Sequence, residues 1–179
     1  MNVTELKQKA LDEAARTVTD YSRLVGKVTR IECEDGFVLP VLWQAGNYAH
    51  LCGLDYWKDA SRIIGLPSRR FYFDLLLGKH ISVKNVSPSG NPKWLAGKSE
   101  ILHKAVCHIL DSDAVVVSGN GRVDYYVGTD EWVFGISFDK NRKTWYPKSL
   151  RKDSYQTVMK PNTPVHVVSA ANIQESSFD

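Results

Sequence analysis

The sequence predicts an α+β fold in which N-terminal helices pack on an antiparallel sheet of about four strands, with a helix and a hairpin added at the N-terminus. Two observations carry this expectation. Apolar residues before residue 110 recur mainly at helical spacing, whereas the chain beyond it is rich in β-branched and aromatic residues set between Gly and Asn turns. A third observation bounds the size: 179 residues, 43% of them hydrophobic and 11% aromatic, are enough for one buried core. Residues 1–179 therefore read as a single domain, with 1–43 as the added helix and hairpin, 44–170 as the core and 171–179 as a polar tail.

The helix is expected over Thr4–Leu24, where Leu6, Ala10, Ala14, Val18 and Tyr21 share one face, Thr4 is a cap and Glu5 suits the first turn. Gly26 stops it. Lys27–Glu34 and Phe37–Trp43 read as a hairpin around Glu34, Asp35 and Gly36, the second strand confined to an edge by Pro40. Asp55–Leu66 and Ser68–Leu77 read as helices separated by Pro67, with Ser68 as cap and Gly78 as terminator. The stretch Ser87–Gly97 holds Pro88, Gly90, Pro92 and Gly97 and reads as a long loop.

Ser99 then caps a helix over Glu100–Leu110 whose stripe Ile101, Leu102, Ala105, Val106 and Ile109 faces the core, with His103 pointing away and His108 structural. Ala114–Ser118, Val123–Val127, Trp132–Phe138 and Pro164–Val168 are the expected strands. On the second, Val123, Tyr125 and Val127 share one face and Arg122, Asp124 and Tyr126 the other; on the third, Trp132, Phe134, Ile136 and Phe138 mark a buried face. Since helices must cover the apolar face, the polar face is expected to carry any substrate.

Composition narrows the function. Lys and Arg total 23 against 20 Asp and Glu, a net charge of +3 that favours polyanionic partners. Cys33, Cys52 and Cys107 are widely spaced and form no CxxC pair, so no disulfide framework or cysteine zinc site is expected, and a reducing cytoplasm suits them. No HExxH occurs, and the five-residue step from His103 to His108 is wrong for two ligands on one helical face, so no metal or cofactor is expected. No stretch approaches the roughly 18 apolar residues of a membrane span. Ser118-Gly119-Asn120-Gly121 reads as a hairpin turn and lacks the Lys-Ser/Thr ending of a phosphate loop.

Two short segments carry chemistry. Tyr48-Ala49-His50-Leu51-Cys52-Gly53-Leu54 places a histidine between an aromatic residue and a glycine-punctuated turn, and Tyr146-Pro147-Lys148-Ser149-Leu150 offers a phenol, an ammonium and a hydroxyl that a sheet could return beside His50. Together they point to an RNA-cleaving site. Each has a plainer explanation: a histidine among apolar residues is often a hydrogen-bonded core residue, and Tyr146–Leu150 could be a strand end broken by Pro147.

With these segments, Phe71–Lys79 and Val123–Tyr126 in that order, the chain resembles the phage barnase-EndoU-colicin-RelE-like nucleases over roughly residues 40 to 168. The resemblance implies helices on an antiparallel sheet and a metal-independent ribonuclease or toxin acting on RNA such as tRNA, with an antitoxin or immunity protein as a further partner. It places the family histidine at His50, its aspartate and tyrosine at Asp124 and Tyr125, and its Tyr-Pro-basic-Ser element at Tyr146, Pro147, Lys148 and Ser149. Leu150 stands where that element has an aromatic residue.

Metal-free RNA cleavage needs a base for the 2′-hydroxyl, an acid for the leaving 5′-oxygen and donors for the phosphorane charge. His50 suits either proton role, Lys148 would hold the phosphate and Ser149 would donate to it. Asp124 either orients the His50 imidazole or is an exposed strand carboxylate beside Arg122. Tyr146 or Tyr125 would stack on a base or transfer a proton. Arg142 and Lys143, close in sequence to Lys148, are the expected backbone contacts, with Arg69 and Arg70 as a second basic group that could equally be an ordinary helix surface. The rival readings are a non-catalytic nucleic-acid- or protein-binding module and an ADP-ribosyl transferase, for which no suitable Glu is found.

Overall fold

The computed structural model describes residues 1–57, 66–109 and 113–175. Most of the expected helix Asp55–Leu66, Leu110 and residues 176–179 of the expected tail lie outside them. In chain order the helices are α1 (Val3–Ser22), α2 (Tyr48–Leu51), α3 (Leu66–Leu76), α4 (Pro92–His108) and α5 (Tyr155–Val158). The strands are β1 (Lys27–Cys33), β2 (Val38–Leu42), β3 (Leu54–Tyr56), β4 (Val86–Pro88), β5 (Val115–Ser118), β6 (Tyr125–Gly128), β7 (Val133–Asp139), β8 (Thr144–Arg151) and β9 (Val165–Glu175).

The sheet corrects the expected fold class. Instead of an open antiparallel sheet of four strands, seven strands close into a mixed barrel in the order β1-β2-β8-β7-β6-β5-β9, and β3 pairs with β4 separately. Closure depends on β9. Its residues Val165–Val167 pair with β5, and Val168–Glu175 pair with β1, so one long strand joins the N-terminal hairpin to the rest. The hairpin is therefore part of the barrel rather than an addition to it. The polar run Ala171–Glu175, expected as tail, hid this strand, because hydrogen bonding to β1 needs backbone groups and not apolar side chains.

The other seam is β2 against β8, which run parallel and meet at the single bridge Val41↔Trp145. Pro40, expected to hold its strand at an edge, lies beside this seam and opposite Arg30 of β1. Strand β8 was not among the expected strands, since Pro147 and two basic residues interrupt its pattern. In it, Pro147 opposes Ile136 and Ser149 opposes Gly135, leaving Lys148 as the extra residue of a bulge. A bulge re-aims the unpaired residue and tolerates a proline.

The expected apolar face of α1 is largely buried: Ala10, Ala14, Val18 and Tyr21 lie in the core, with half-buried Leu6 packed against it. Its cap is Asn2, not Thr4. Asn2 Oδ1 accepts from the Glu5 amide at 3.0 Å while Glu5 Oε2 accepts from the Asn2 amide at 2.8 Å, a reciprocal capping box. Helix α3 contains Pro67 in its first turn, where no amide donor is needed, and ends before Gly78 at φ +69°. Tyr56, expected helical, belongs to β3.

Helix α4 begins well before the expected start. Asn91 caps it by accepting from the Lys93 amide at 2.9 Å and Pro92 occupies its first turn, so the expected loop Ser87–Gly97 is strand, turn and helix. Ser99, expected as the cap, is buried mid-helix and donates to the Leu95 carbonyl at 2.7 Å. The stripe Ile101, Leu102, Ala105, Val106 and Ile109 is buried as expected. His108 is exposed.

α1 packs along α4, and an aromatic column ties the helices to the barrel. Tyr21 stands 4.5 Å from Tyr48 and 6.0 Å from Trp43, which meets Phe134 edge-on at 5.3 Å. Their polar atoms are satisfied: the Tyr21 hydroxyl donates to the Gln44 carbonyl, Tyr48 to the Ala14 carbonyl and the Trp43 indole to Thr29 Oγ1. Strands β5–β7 are covered on both sides, with Val116, Val127, Phe134 and Ile136 in the main core and Val115, Val117, Tyr126 and Val133 in a second cluster with Val158 of α5. Phe138, expected in the buried face, is 40% exposed at the strand end. Among the described residues no helix is long and apolar enough to cross a membrane.

Candidate functional site

His50 sits on the single turn of α2. Tyr48, Ala49 and Leu51 are buried and fix that turn in the core, which leaves His50 as its exposed residue. Gly53, at φ +78°, then reverses the chain into β3. A side chain there would meet Lys98: an ideal Cβ would stand 2.9 Å from Lys98 Cδ and 3.1 Å from Leu95 Cδ1. The glycine thus admits the stem of Lys98, whose Nζ donates to the His50 carbonyl at 2.8 Å. Ser89, just after β4, is fastened by its amide to the Gly53 carbonyl, and its hydroxyl lies 3.0 Å from His50 Nδ1.

This contact holds the ring from the Nδ1 side. Ser89 Oγ can donate or accept; where it accepts from Nδ1–H, Nε2 carries the free lone pair of a base, and where it donates to Nδ1, Nε2–H is a hydrogen-bond donor. Among the described residues, nothing hydrogen-bonds Nε2. His50 opens onto a cavity of about 750 Å³, bounded on one side by α4 and on the other by Gly121–Val123, Tyr126 and the β8 end from Lys148 to Asp153. The cavity lies where helices meet the barrel; of the face expected to carry a substrate, Arg122 and Tyr126 line it and Asp124 does not.

Its charge is one-sided. Lys93, Lys98, Arg122, Lys148, Arg151 and Lys152 line it against the carboxylate of Asp153. Asp153 pairs with Arg151 at 3.2 Å, and Lys152 is engaged by Glu100 of α4. Lys148 Nζ donates to the Arg122 carbonyl at 3.1 Å, which brings the β8 bulge against the segment before β6. Ser149 lies over Gly135, where an ideal Cβ would stand 2.5 Å from its Oγ, so a residue without a side chain is needed on β7.

His50 and Lys98 are both perturbed. Desolvation by the cavity walls lowers the His50 pKa first, and the Lys98 and Lys148 ammonium groups lower it further, against an opposing pull from Asp55. Burial brings the Lys98 pKa down to about 8. Perturbed groups converging on a cavity are a recurrent mark of functional sites.

Of the residues singled out in the sequence, His50, Lys148 and Ser149 line this cavity together. The others lie outside its lining. Asp124 accepts from the Phe138 amide at 2.9 Å and so caps the β6–β7 pair. Tyr125 packs between Phe37 and Trp145, at 5.4 and 5.2 Å, and Tyr146 is half-buried opposite Ser137 on β7. Arg142 donates to Gln44 Oε1 at 2.8 Å, and Lys143 occupies a turn at φ +51°. Arg69 lies over the Phe73 ring at 5.6 Å, and Arg70 is 3.7 Å from the buried Asp74.

Sequence reasoning misses Lys98, Ser89 and Trp94, while Arg122 and Tyr126 lie on the face expected to meet a substrate but receive no individual role there. Lys98 has a signal: it continues the stripe Leu95–Ile101–Leu102, a lysine on the apolar face of a helix, but it lies ahead of the expected helix start at Glu100. Trp94, 59% exposed at the cavity rim, lay within the expected loop. Among the described residues, the group of His, Cys and Asp whose ligand atoms lie close enough to share an ion is Asp20, His103 and Cys107, outside the cavity. No family model, curated protein or solved structure matches this chain.

Proposed function

We propose that the protein is an RNA endonuclease that cleaves by attack of the ribose 2′-oxygen, with His50 as general base. One observation supports this above the others: among the described residues, a histidine whose Nε2 makes no hydrogen bond opens into a cavity lined by six Lys and Arg residues and a single carboxylate. A polyanion whose phosphates are flanked by hydroxyls fits that lining better than a neutral or cationic substrate. The resemblance to the phage barnase-EndoU-colicin-RelE-like nucleases then rests on His50, Lys148 and Ser149 and not on the closed barrel.

In this reading Nε2 takes the 2′-hydroxyl proton, the 2′-oxygen bonds to phosphorus and the bond to the 5′-oxygen breaks, giving a 2′,3′-cyclic phosphate and a 5′-hydroxyl. The lowered His50 pKa keeps the imidazole neutral at neutral pH, as a base must be. Lys148 and Arg122 face the phosphorane charge, Ser149 donates to a phosphate oxygen, and Lys98, with its pKa near 8, returns a proton to the leaving oxygen. Trp94 at the rim offers a stacking surface worth on the order of 1–3 kcal/mol per base.

Incubating the protein and its His50→Ala variant with total RNA in excess EDTA, followed by end-group analysis, tests the proposal. Cyclic-phosphate ends that vanish in the variant are expected. Folded protein that leaves RNA intact would refute it, and retention of RNA without cleavage by both proteins would favour a binding module on the same cavity.

A further inference from the structure

We propose that Asp20, His103 and Cys107 form a binding site for Zn²⁺, or a divalent cation of similar softness, that clamps α1 to α4. His103 and Cys107 stand four residues apart on α4 and so share one face. Asp20 comes from the last turn of α1, the helix packed along α4. His103, expected to point away from the core side, instead faces α1 and is half-buried there.

The spacing is that of ligand atoms around one small ion. His103 Nε2 lies 3.3 Å from Asp20 Oδ2 and 3.5 Å from Cys107 Sγ, and all three atoms lie within 4.8 Å of one another. A tetrahedral Zn²⁺ with bonds of about 2.0 Å to nitrogen and oxygen and about 2.3 Å to sulfur separates its ligands by about 3.3 Å along an N–O edge and about 3.5 Å along an N–S edge. The two separations from His103 Nε2 thus equal the two edges such an ion would set.

The chemistry of the donors agrees. Thiolate and imidazole select Zn²⁺ over Mg²⁺ or Ca²⁺, which take oxygen ligands. The Asp20 carboxylate and the Cys107 thiolate together neutralise the ion. Arg23 Nη1 lies 3.3 Å from Oδ1, the other oxygen of Asp20, and so orients the carboxylate from outside the ligand set. Cys107 is exposed, so the ion arrives from solvent and its fourth position is left to water. Binding replaces the Sγ–H bond by an Sγ–metal bond and releases the proton to solvent.

Titration of the chelator-treated full chain with Co²⁺, followed by competition with Zn²⁺, tests the site. Stoichiometric Co²⁺ should produce a thiolate-to-cobalt charge-transfer band that Zn²⁺ abolishes and Mg²⁺ leaves in place, and Zn²⁺ should raise the thermal midpoint. Cys107→Ser and His103→Ala should lose the band and bind Zn²⁺ about 100-fold more weakly or worse, since even outer partners of a metal site contribute 10- to 100-fold. Circular dichroism checks that each variant is folded. No band from the folded wild-type protein, or a band that persists in folded Cys107→Ser, overturns the proposal.

Discussion

Gly53→Ala probes the device that seats His50. At φ +78° an L side chain is strained, at about 1–2 kcal/mol. The new Cβ would also stand 2.9 Å from Lys98 Cδ and 3.1 Å from Leu95 Cδ1, and overpacking of this kind costs about 1–3 kcal/mol. The two effects together give about 2–5 kcal/mol, a large part of the 5–15 kcal/mol typical of a folded domain. At this chain length roughly 2–4 °C is lost per kcal/mol, so the thermal midpoint should fall by about 4–20 °C. The collision with Lys98 is separable from the strain. In the double variant Gly53→Ala/Lys98→Ala the stem is gone, and the combined loss should be smaller than the sum of the single losses by at least about 0.5 kcal/mol. Urea unfolding of the four proteins measures both quantities. A single-variant loss under about 0.5 kcal/mol, or strict additivity, would refute the packing argument.

Four further outcomes follow from the cavity. His50→Ala should cut RNA cleavage by about 10²- to 10⁴-fold while leaving urea stability within about 0.5 kcal/mol, because the ring is exposed and acts on protons rather than on packing. Lys148→Met should weaken RNA binding and lower the slope of log affinity against log salt by about 0.7, the value for one phosphate contact on a single strand; an unchanged slope would remove Lys148 from the substrate path. The kcat/KM profile should be bell-shaped, rising through a His50 pKa below the ordinary 6.5 and falling near 8 as Lys98 loses its proton; in Lys98→Met the fall near 8 should disappear. Lys98 also links stability to pH. Its folded pKa is lowered, so between about 8 and its unfolded value of 10.5 the unfolded chain holds the extra proton, and wild-type stability should rise across that window relative to Lys98→Met; a flat difference would mean the amine is not desolvated.

Burial patterning explains which elements were legible. The faces of α1 and of the end of α4 stood out because each must turn a continuous apolar stripe to the core, and a 3.6-residue period records that directly. Strands β5, β6 and β7 were legible for their β-branched and aromatic content. β8 and the far half of β9 were not, since Pro147 and the bulge at Lys148 interrupt the period of the first, and the run Ala171–Glu175 pairs with β1 through backbone groups that leave no apolar alternation in the sequence. The start of α4 was missed because Pro92 and Gly97 read as loop punctuation, although a proline in the first helical turn costs nothing.

The same division holds for the two sites. Local sequence singled out His50, Lys148 and Ser149, because a histidine beside a glycine turn and a Lys-Ser pair after proline are unusual chemistry in short windows. It also places His103 and Cys107 one helical turn apart. Sequence alone determined the two segments that supply His50, Lys148 and Ser149, the helical stripes and the glycine turn at position 53. Only the tertiary structure decided that the sheet closes, that Lys98 reaches the His50 carbonyl across Gly53, and that Asp20 meets His103 across two packed helices. The physical reason is that such contacts join residues far apart in the chain, and their partners are chosen by packing and backbone pairing, which no local period records.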